Sequence, residues 1–232
     1  MAETTRNTPT STTQPAIDLT ASARKWRTRF ANTRTPIGAT RVVEDAATIQ
    51  GMLRTWPKFD HGDDEHTEAL ALRKSLSSTQ SDEALRMKLL NVEEQTDRFV
   101  IIMAALEKGL PQERNALGVV ADDRLEAVCI WQVLTGTGRV ASEQDANFWD
   151  TSWKKALYVP ELTGAPWNVG WPTPQKGVTG GGRALVNALK EKGRQEGCDG
   201  IALVGLACNI DFYPKVGFTL FKGHSFVMSL RT

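Results

Sequence analysis

Residues 177–197, with the sequence GVTGGGRALVNALKEKGRQEG, constrain the fold more than any other stretch of the chain. They form a glycine-rich turn followed by a long amphipathic helical pattern without a proline. Gly180, Gly181 and Gly182 can adopt backbone angles closed to other residues, and they leave the main chain open to a ligand. The first N–H groups of the helix lack intrahelical partners and carry partial positive charge. The stretch therefore predicts a phosphate-binding turn.

Length and charge limit the classes of protein that the chain can represent. Its 232 residues suit one sizeable domain, and its net charge of +1 gives no support to a nucleic-acid or anionic-membrane partner. No apolar run approaches the roughly 20 residues of a membrane span. Cys129, Cys198 and Cys208 are too few for a disulfide framework and wrongly spaced for zinc. We therefore expect a cytoplasmic protein in a reducing compartment, with no nucleic-acid or membrane partner.

The N-terminal segment, residues 1–36, has a composition of its own. It is rich in Thr, Ser and Pro and lacks the apolar core of a secretory signal peptide. This composition predicts a disordered or loosely attached segment. A basic stretch with Trp26 and Phe30 interleaved could serve as an address for non-classical export, or its aromatic side chains could simply pack onto the domain.

The remaining residues, 37–232, predict one α/β domain with a mixed sheet. A strand near Thr40 and a helix ending before Pro57 come first, and two helices follow within a helical insertion at about 62–110. Two apolar runs around Asp122-Asp123 predict a β-hairpin, and a further strand spans about 156–163. After the glycine turn and its helix, a continuous apolar run predicts a buried strand. FYPKVGF and SFVMSLR predict two closing strands.

Two other sequence features invite a binding interpretation. The segment DHGDDEH carries two histidines, His61 and His66, but its spacing is not that of a metal motif, so we expect a solvated helix start and no metal site. Tryptophans concentrate before the glycine turn. They are more typical of core packing than of a nucleic-acid stacking surface, although Trp167 and Trp171 could line a substrate channel.

Three phosphate motifs compete for the glycine turn. A P-loop needs Lys and Ser or Thr after its last glycine, whereas Arg183 and Ala184 stand there. A dinucleotide fingerprint needs a small residue at position 185 and an acid at the end of the next strand. This chain has Leu185 and ends that strand with Asn209, so it does not fit. The third candidate is an acyl-CoA site, which rests on the family resemblance that follows.

At this point the residues resemble a known family, the GCN5-related N-acetyltransferases (GNAT). Gly180 and Gly182 match the two glycines of the family's Arg/Gln-x-x-Gly-x-Gly/Ala turn, and Asn209 with FYPKVGF is similar to its Asn…Tyr-x-x-x-Gly-Phe close. The resemblance implies a mixed, mostly antiparallel sheet flanked by helices, with a splayed central strand pair. Gly177 departs from the pattern, because it occupies the position that is normally Arg or Gln.

The resemblance also implies which residues form the site. Tyr213 would give a proton to the leaving thiolate, and Glu161 would take the proton of the acceptor amine, with Asp211 and Asp122 as alternatives to Glu161. A main-chain N–H of Leu162 or Thr163 would stabilise the oxyanion. Acetyl-CoA would be held by the following residues: Leu162, Thr163, Val178, Thr179, Gly180, Gly181, Gly182, Arg183 and Asn209.

The implied function is transfer of an acetyl group from acetyl-CoA to an amine of a small molecule or protein, by direct attack. The resemblance leaves room for a homodimer. Two alternatives stay open. The chain could be a catalytically weak acyl-CoA-binding module, or a secreted effector that acetylates host proteins.

Overall fold

The computed structural model describes residues 17–31, 34–57, 64–79, 82–135, 153–171, 176–206, 209–222 and 225–230. Within these ranges the chain forms seven helices and nine strands. The helices are α1 (Leu19–Ala31), α2 (Ala46–Leu53), α3 (Asp64–Thr79), α4 (Glu83–Lys108), α5 (Pro166–Val169), α6 (Gly181–Gln195) and α7 (Phe212–Lys215). The strands are β1 (Thr35–Pro36), β2 (Arg41–Val43), β3 (Arg114–Ala121), β4 (Arg124–Thr135), β5 (Lys155–Gly164), β6 (Val178–Thr179), β7 (Gly200–Val204), β8 (Thr219–Lys222) and β9 (Ser225–Ser229).

Seven strands form one mixed sheet in the order β2-β3-β4-β5-β7-β9-β8. Every neighbouring pair is antiparallel except β5 and β7, which are parallel. The hairpin between β3 and β4 turns at Asp122 and Asp123, both with positive φ, as a two-residue type I′ turn requires. The prediction of a mixed, mostly antiparallel sheet flanked by helices is confirmed.

The parallel pair β5–β7 separates partway along its length. Pairing runs from Ala156–Gly200 to Val159–Leu203 and stops there, although β5 continues to Gly164. Pro160 follows the last paired residue, and the register between β4 and β5 shifts at the same point. Because proline has no N–H to give to the ladder and bulges bend strands, β5 turns away from β7 here. The sheet thus has the splayed central strand pair that the resemblance implied.

The two faces of the sheet are covered by different helices. Along β4, Val128 and Ile130 pack with the cluster that contains α1 to α5, whereas Cys129 and Trp131 pack with α6 and α7. This alternation is the period-two pattern of a strand buried on both faces. The opening at the splayed pair therefore lies between two helical layers.

The helices follow the sequence signals closely. Asp45 accepts a hydrogen bond from the Thr48 N–H at 2.7 Å and caps α2, and Asp82 caps α4 through Leu85. Near the C-terminus the structure differs from the expectation, because Phe212 to Lys215 form the short helix α7 and the strand begins only at Thr219. Proline in this stretch cannot donate to a ladder but is compatible with a single helical turn.

The N-terminal segment differs from the expected loose attachment in the part that is described. Trp26 of α1 is fully buried, and Arg29 donates hydrogen bonds of 2.9 and 2.6 Å to Glu65 of α3. Phe30 packs beside Gly170. The aromatic side chains therefore anchor α1 on the domain, because their burial offsets the polar composition around them. Residues 1–16 lie outside the described ranges.

The tryptophans in the described ranges are buried, and they belong to the core rather than to a channel. Trp167 and Trp171 are 4% and 5% exposed. Trp149 lies outside the described residues, as do Asp60, His61 and Asp63 of the acidic segment. No helix in the described residues combines the length and the apolar character needed to traverse a lipid bilayer.

Candidate functional site

A cleft of about 270 Å³ opens at the splayed strand pair. It lies between the start of α6, the end of β5, the middle of α4 and the start of α7. Sixteen of the described residues line it: Arg34, Asn91, Gln95, Glu126, Leu162, Gly164, Asn168, Val169, Val178, Thr179, Gly180, Gly181, Gly182, Asn209, Phe212 and Tyr213. The fold thus brings most of the sequence-predicted site residues into one cavity.

The glycine turn presents main-chain donors to this cleft. The first intrahelical hydrogen bond of α6 runs from Ala184 N to Gly180 O at 2.8 Å. The N–H groups of Gly181, Gly182 and Arg183 consequently have no acceptor within the helix. Gly180 has φ +108°, in the region that favours glycine, and a Cβ there would meet Ile37 at 2.9 Å. The turn therefore requires glycine and directs donors and the positive helix end at the cavity.

Side chains at Gly181 and Gly182 would fill part of the space beside the turn. A Cβ at Gly181 would lie 3.2 Å from the Glu126 carbonyl oxygen, and one at Gly182 would lie 3.2 Å from Cζ of Phe212. Both contacts are closer than ordinary packing allows. The absence of side chains keeps the main chain accessible, as a phosphate ligand needs.

Val178 is held by the protein itself. Its N–H donates to Oδ1 of Asn168 at 2.7 Å, so this group is engaged and is a poor candidate to bind a ligand. Asn168 in turn donates from Nδ2 to Oε2 of Glu126 at 2.8 Å. A chain of hydrogen bonds therefore fixes the strand that enters the glycine turn.

Glu126 is the centre of that chain and is fully buried. The register shift between Val119 and Val120 leaves it as the extra residue of a β-bulge in β4, which turns its side chain toward α5. Its Oε2 accepts from Trp167 Nε1 at 2.7 Å, and Arg124 lies 3.1 Å from its Oε1. Arg124 also stacks on the Trp167 ring. The buried carboxylate is thus compensated by a cation and two donors, as a buried charge must be.

Gln95 of α4 holds the part of β5 that extends beyond its pairing with β7. Oε1 of Gln95 accepts from the Thr163 hydroxyl at 2.8 Å and from the Gly164 N–H at 2.9 Å. Thr163 is fully buried and faces α4, whereas Leu162 lines the cleft. The end of β5, which no longer pairs with β7, is therefore held in position by side chains of the helical insertion.

Tyr213 lies in an aromatic cluster at the other side of the cleft. Its ring centroid is 4.5 Å from that of Phe226 and 6.0 Å from that of Phe218. A Cβ at Gly205, just after β7, would meet the tyrosine ring at 2.6 Å. Glycine at the end of β7 therefore provides the space in which the Tyr213 ring sits, and Tyr213 is one of the residues that line the cleft.

Asn209 lines the cleft between α7 and α4. Its Nδ2 donates to Oδ1 of Asn91 at 3.0 Å. This contact joins the C-terminal region to the helical insertion across the cavity.

Glu161 is not brought together with these residues. It forms an ion pair with Arg98 of α4 and is not among the residues that line the cleft. Arg183 is exposed and also lies outside the lining, as do Asp122 at the hairpin turn and the exposed Asp211. For Arg183 the main-chain N–H, rather than the side chain, is what the geometry offers to a ligand.

Sequence reasoning missed several residues that shape the cleft, namely Arg34, Asn91, Gln95, Glu126, Asn168 and Gly205. Two signals in the sequence could have indicated part of this geometry. Pro160 within the β5 pattern marks a bulge, and Gly205 in the apolar run that contains β7 marks a close approach. The polar residues of α4 carried no such signal, because amides on a helix are ordinary surface residues until a strand is packed against them.

No protein-family model matches the chain, and no curated protein sequence matches it. Solved structures are similar to it at low sequence identity. An aminoglycoside N-acetyltransferase in complex with CoA is 15% identical, with a TM-score of 0.43, over 82% of this chain and 94% of that one. A GNAT family acetyltransferase from Brucella melitensis, in complex with acetyl-CoA, is 12% identical, with a TM-score of 0.39, over 84% and 90%. An N-acetyltransferase from Thermoplasma acidophilum, in complex with coenzyme A, is 14% identical, with a TM-score of 0.38, over 82% and 97%.

All three TM-scores lie below 0.5, and the chemistry of this chain depends on the residues of its own cleft. The solved structures to which it is similar include GNAT family acetyltransferases, the family that its glycine turn and FYPKVGF segment resemble.

Proposed function

We propose that the protein is an acyl-CoA-dependent N-acyltransferase that transfers an acetyl group from acetyl-CoA to an amine. The observation that carries the proposal is the cleft at the splayed β5–β7 pair, where the glycines at the start of α6 and Tyr213 line the same cavity. A phosphate end and a reactive end in one cavity suit a phosphorylated acyl carrier.

The phosphate end of the cleft fits a pyrophosphate. The N–H groups of Gly181, Gly182 and Arg183 are unpaired within α6, and the helix end carries partial positive charge. A Cβ at Gly181 or Gly182 would come within 3.2 Å of Glu126 or Phe212, and both of these residues line the cleft. In this proposal Val178 orients the turn through Asn168 instead of binding the ligand with its N–H.

The end of the cleft near Leu162 and Tyr213 would supply a hydrogen-bond donor for the oxyanion and an acid for the leaving thiolate. Beyond Pro160 the edge of β5 no longer pairs with β7, so main-chain groups on that edge have no partner in β7, and Leu162 lines the cleft there. One of their N–H groups would stabilise the developing oxyanion. The Tyr213 hydroxyl would give its proton to the leaving thiolate, because a phenol is a suitable donor once the site raises the basicity of the sulfur.

The acceptor amine has to lose a proton before or during its attack. A lysine-like amine with a pKa of about 10.4 costs about 4.6 kcal/mol to deprotonate at pH 7. Glu161 would serve only if its ion pair with Arg98 opens, since a proton on the carboxylate would break that pair. Asn91, Gln95 and Asn209 line the cleft, and a water bound by one of them would therefore be a more direct route for the proton to the solvent.

The test is turnover of acetyl-CoA by the purified protein, with released CoA thiol measured against a panel of small amines and lysine peptides. The proposal predicts thiol release that depends on both the amine and the protein. Mass spectrometry of a lysate treated with the protein and isotope-labelled acetyl-CoA would then identify the acceptor. Binding of CoA without any transfer to the panel or to lysate components would reject the enzyme proposal.

The ion pair of Glu161 favours a second candidate function. With this carboxylate engaged, the chain could be an acyl-CoA-binding module that no longer catalyses transfer. Tight binding of CoA together with no turnover of any amine in the panel or the lysate would support that candidate. The acceptor, a homodimeric assembly and an export role for residues 1–36 stay predictions.

A further inference from the structure

A short N-terminal strap, defined as residues 34–37, runs beside the glycine turn. Its strand β1 pairs in parallel with β6, in the register Thr35–Val178 and Pro36–Thr179. The Thr35 N–H donates to the Gly177 carbonyl at 3.3 Å, and the Ile37 N–H donates to the Thr179 carbonyl at 2.9 Å. The strap is therefore fastened to the turn by main-chain hydrogen bonds.

Arg34, the first residue of the strap, reaches into the space that Gly177 leaves open. A Cβ on Gly177 would lie 3.2 Å from Cγ and 3.5 Å from Cδ of Arg34. The same Cβ would meet the Trp167 carbonyl oxygen at 2.5 Å. The missing side chain at Gly177 thus makes room for the aliphatic stem of Arg34, whose side chain lines the cleft together with Gly180, Gly181 and Gly182.

The charge of Arg34 is uncompensated in the part of the chain that is described. No described carboxylate forms a salt bridge with its guanidinium, whereas Lys25, Arg27 and Arg29 of α1 are all paired. The residue as a whole is exposed, yet burial of its charged group lowers the pKa of Arg34 from the ordinary value of an arginine. An arginine stays protonated at neutral pH, so a partly desolvated cation faces the cavity.

The charged residues of the cleft indicate what kind of ligand the Arg34 guanidinium would bind. Among the sixteen described residues that line the cleft, only Arg34 and Glu126 are charged, and Glu126 is already compensated by Arg124, Trp167 and Asn168. Arg34 therefore lies beside the unpaired N–H groups at the start of α6, which also favour binding of an anion. A guanidinium is well suited to two oxygens of one phosphate group.

We propose that Arg34 is a phosphate-binding residue of the cleft and contacts the pyrophosphate of the acyl carrier from the N-terminal strap. The inference rests on the proposed function, because it takes CoA as the ligand. It assigns a binding role to the segment before residue 37, which sequence composition alone predicted to be loosely attached.

The anchoring of α1 explains how so short a strap can hold a ligand group. Trp26 is fully buried, and Arg29 is bound to Glu65 by two hydrogen bonds. The strap is consequently held before it by α1 and along its length by β6. An arginine positioned in this way loses less conformational freedom when a ligand binds than one on a free tail.

The test is calorimetry with the full-length protein and CoA, comparing wild type with Arg34→Gln. The matched control is Arg27→Gln, which also removes one positive charge from the N-terminal segment, but from an ion pair with Asp82 outside the cleft. We expect Arg34→Gln to raise the Kd for CoA about ten- to thirtyfold, the size of a lost charge-assisted interaction, and Arg27→Gln to leave it within about twofold. Arg34→Lys should restore part of the affinity.

Two further measurements sharpen the assignment. Dephospho-CoA lacks the 3′-phosphate but keeps the pyrophosphate, so the loss on Arg34→Gln should be the same with both ligands. The dependence of the Kd on salt should also weaken in Arg34→Gln, because one phosphate contact is removed. A loss seen with CoA and absent with dephospho-CoA would overturn the pyrophosphate assignment.

The outcomes separate this inference from the proposed function. If wild type binds CoA and Arg34→Gln binds it equally well, the role of Arg34 is rejected while the acyl-CoA site stands. If wild type does not bind CoA at all, the proposed function fails and the inference fails with it.

Discussion

The two walls of the cleft are built from different chemistry. One wall, here called the main-chain wall, consists of Gly180–Gly182 and is held in place by buried hydrogen bonds through Asn168 and Glu126. The other, here called the side-chain wall, consists of Asn91, Gln95, Asn209, Phe212 and Tyr213, from α4, α7 and the residues before α7. Arg34, from the N-terminal strap, lies beside the main-chain wall.

This difference suggests that the two walls have different tasks, one in binding a phosphate and the other in the transfer reaction. Main-chain donors at a helix start recognise a phosphate regardless of what is attached to it. Side chains on a helical insertion can change without disturbing the turn, so they are suited to select an acceptor and to move protons. We therefore expect substitutions in the main-chain wall to affect folding and CoA affinity, and substitutions in the side-chain wall to affect turnover.

The largest expected effect concerns the support of the main-chain wall. Glu126→Ala removes the acceptor of Trp167 and Asn168 and leaves Arg124 unpaired, so we expect a loss of about 3–5 kcal/mol in the free energy of unfolding. Urea unfolding at pH 7 measures it. Glu126→Gln keeps a side-chain acceptor and should cost less than half as much. A cost below about 0.5 kcal/mol for the alanine variant would show that the buried network does not hold the turn.

The next effect tests the side-chain wall. Tyr213→Phe keeps the ring in its aromatic cluster but removes the proposed acid, so kcat should fall at least about 100-fold while the Kd for CoA stays within about twofold. Tyr158→Phe is the matched control, since Tyr158 is the other tyrosine of the chain and is buried in a separate cluster. Equal kcat values for the two variants would remove Tyr213 from the mechanism.

A third substitution tests whether the glycine turn holds the ligand. In Gly182→Val the new side chain would meet the Phe212 ring and enter the cleft, so we expect the Kd for CoA to rise about thirty- to a hundredfold. Asn187→Val, on the exposed face of the same helix, controls for the lower helix propensity of valine. Unchanged CoA affinity in Gly182→Val would show that the ligand binds elsewhere.

The smallest effect concerns the anchor of α1. Partial burial alone would raise the pKa of Glu65, but the hydrogen bond and charge of Arg29 outweigh it, so the pKa is lowered. A lowered pKa in the folded state means stability that is present above the ordinary glutamate pKa of about 4.3 and is lost as the pH falls through the folded value.

Glu65→Gln should therefore cost about 0.5–1 kcal/mol in the free energy of unfolding at pH 7, because the pair is partly exposed and screened. The difference from wild type should shrink as the pH is lowered from 5 toward 3. Urea unfolding across that range measures it, and a difference independent of pH would mean that the charge of Glu65 contributes nothing.

Local signals made most of the fold predictable. Asp45 and Asp82 cap helices that the apolar periodicity had already indicated, and Asp122-Asp123 form the expected turn. Local signals failed where partners are distant in the chain. The α1 helix was missed because its stability comes from Trp26 burial and from ion pairs with α3, and neither is visible in composition.

By itself the sequence determined the glycine turn, its helix and the strands around them, because these depend on backbone freedom and on the period of apolar residues. Only the tertiary structure decided what surrounds the turn. It sets Arg34 beside Gly177, turns Glu126 inward on a bulge and engages Glu161 with Arg98. These contacts join residues from about 40 to 140 positions apart in the chain, and no local pattern encodes such distances.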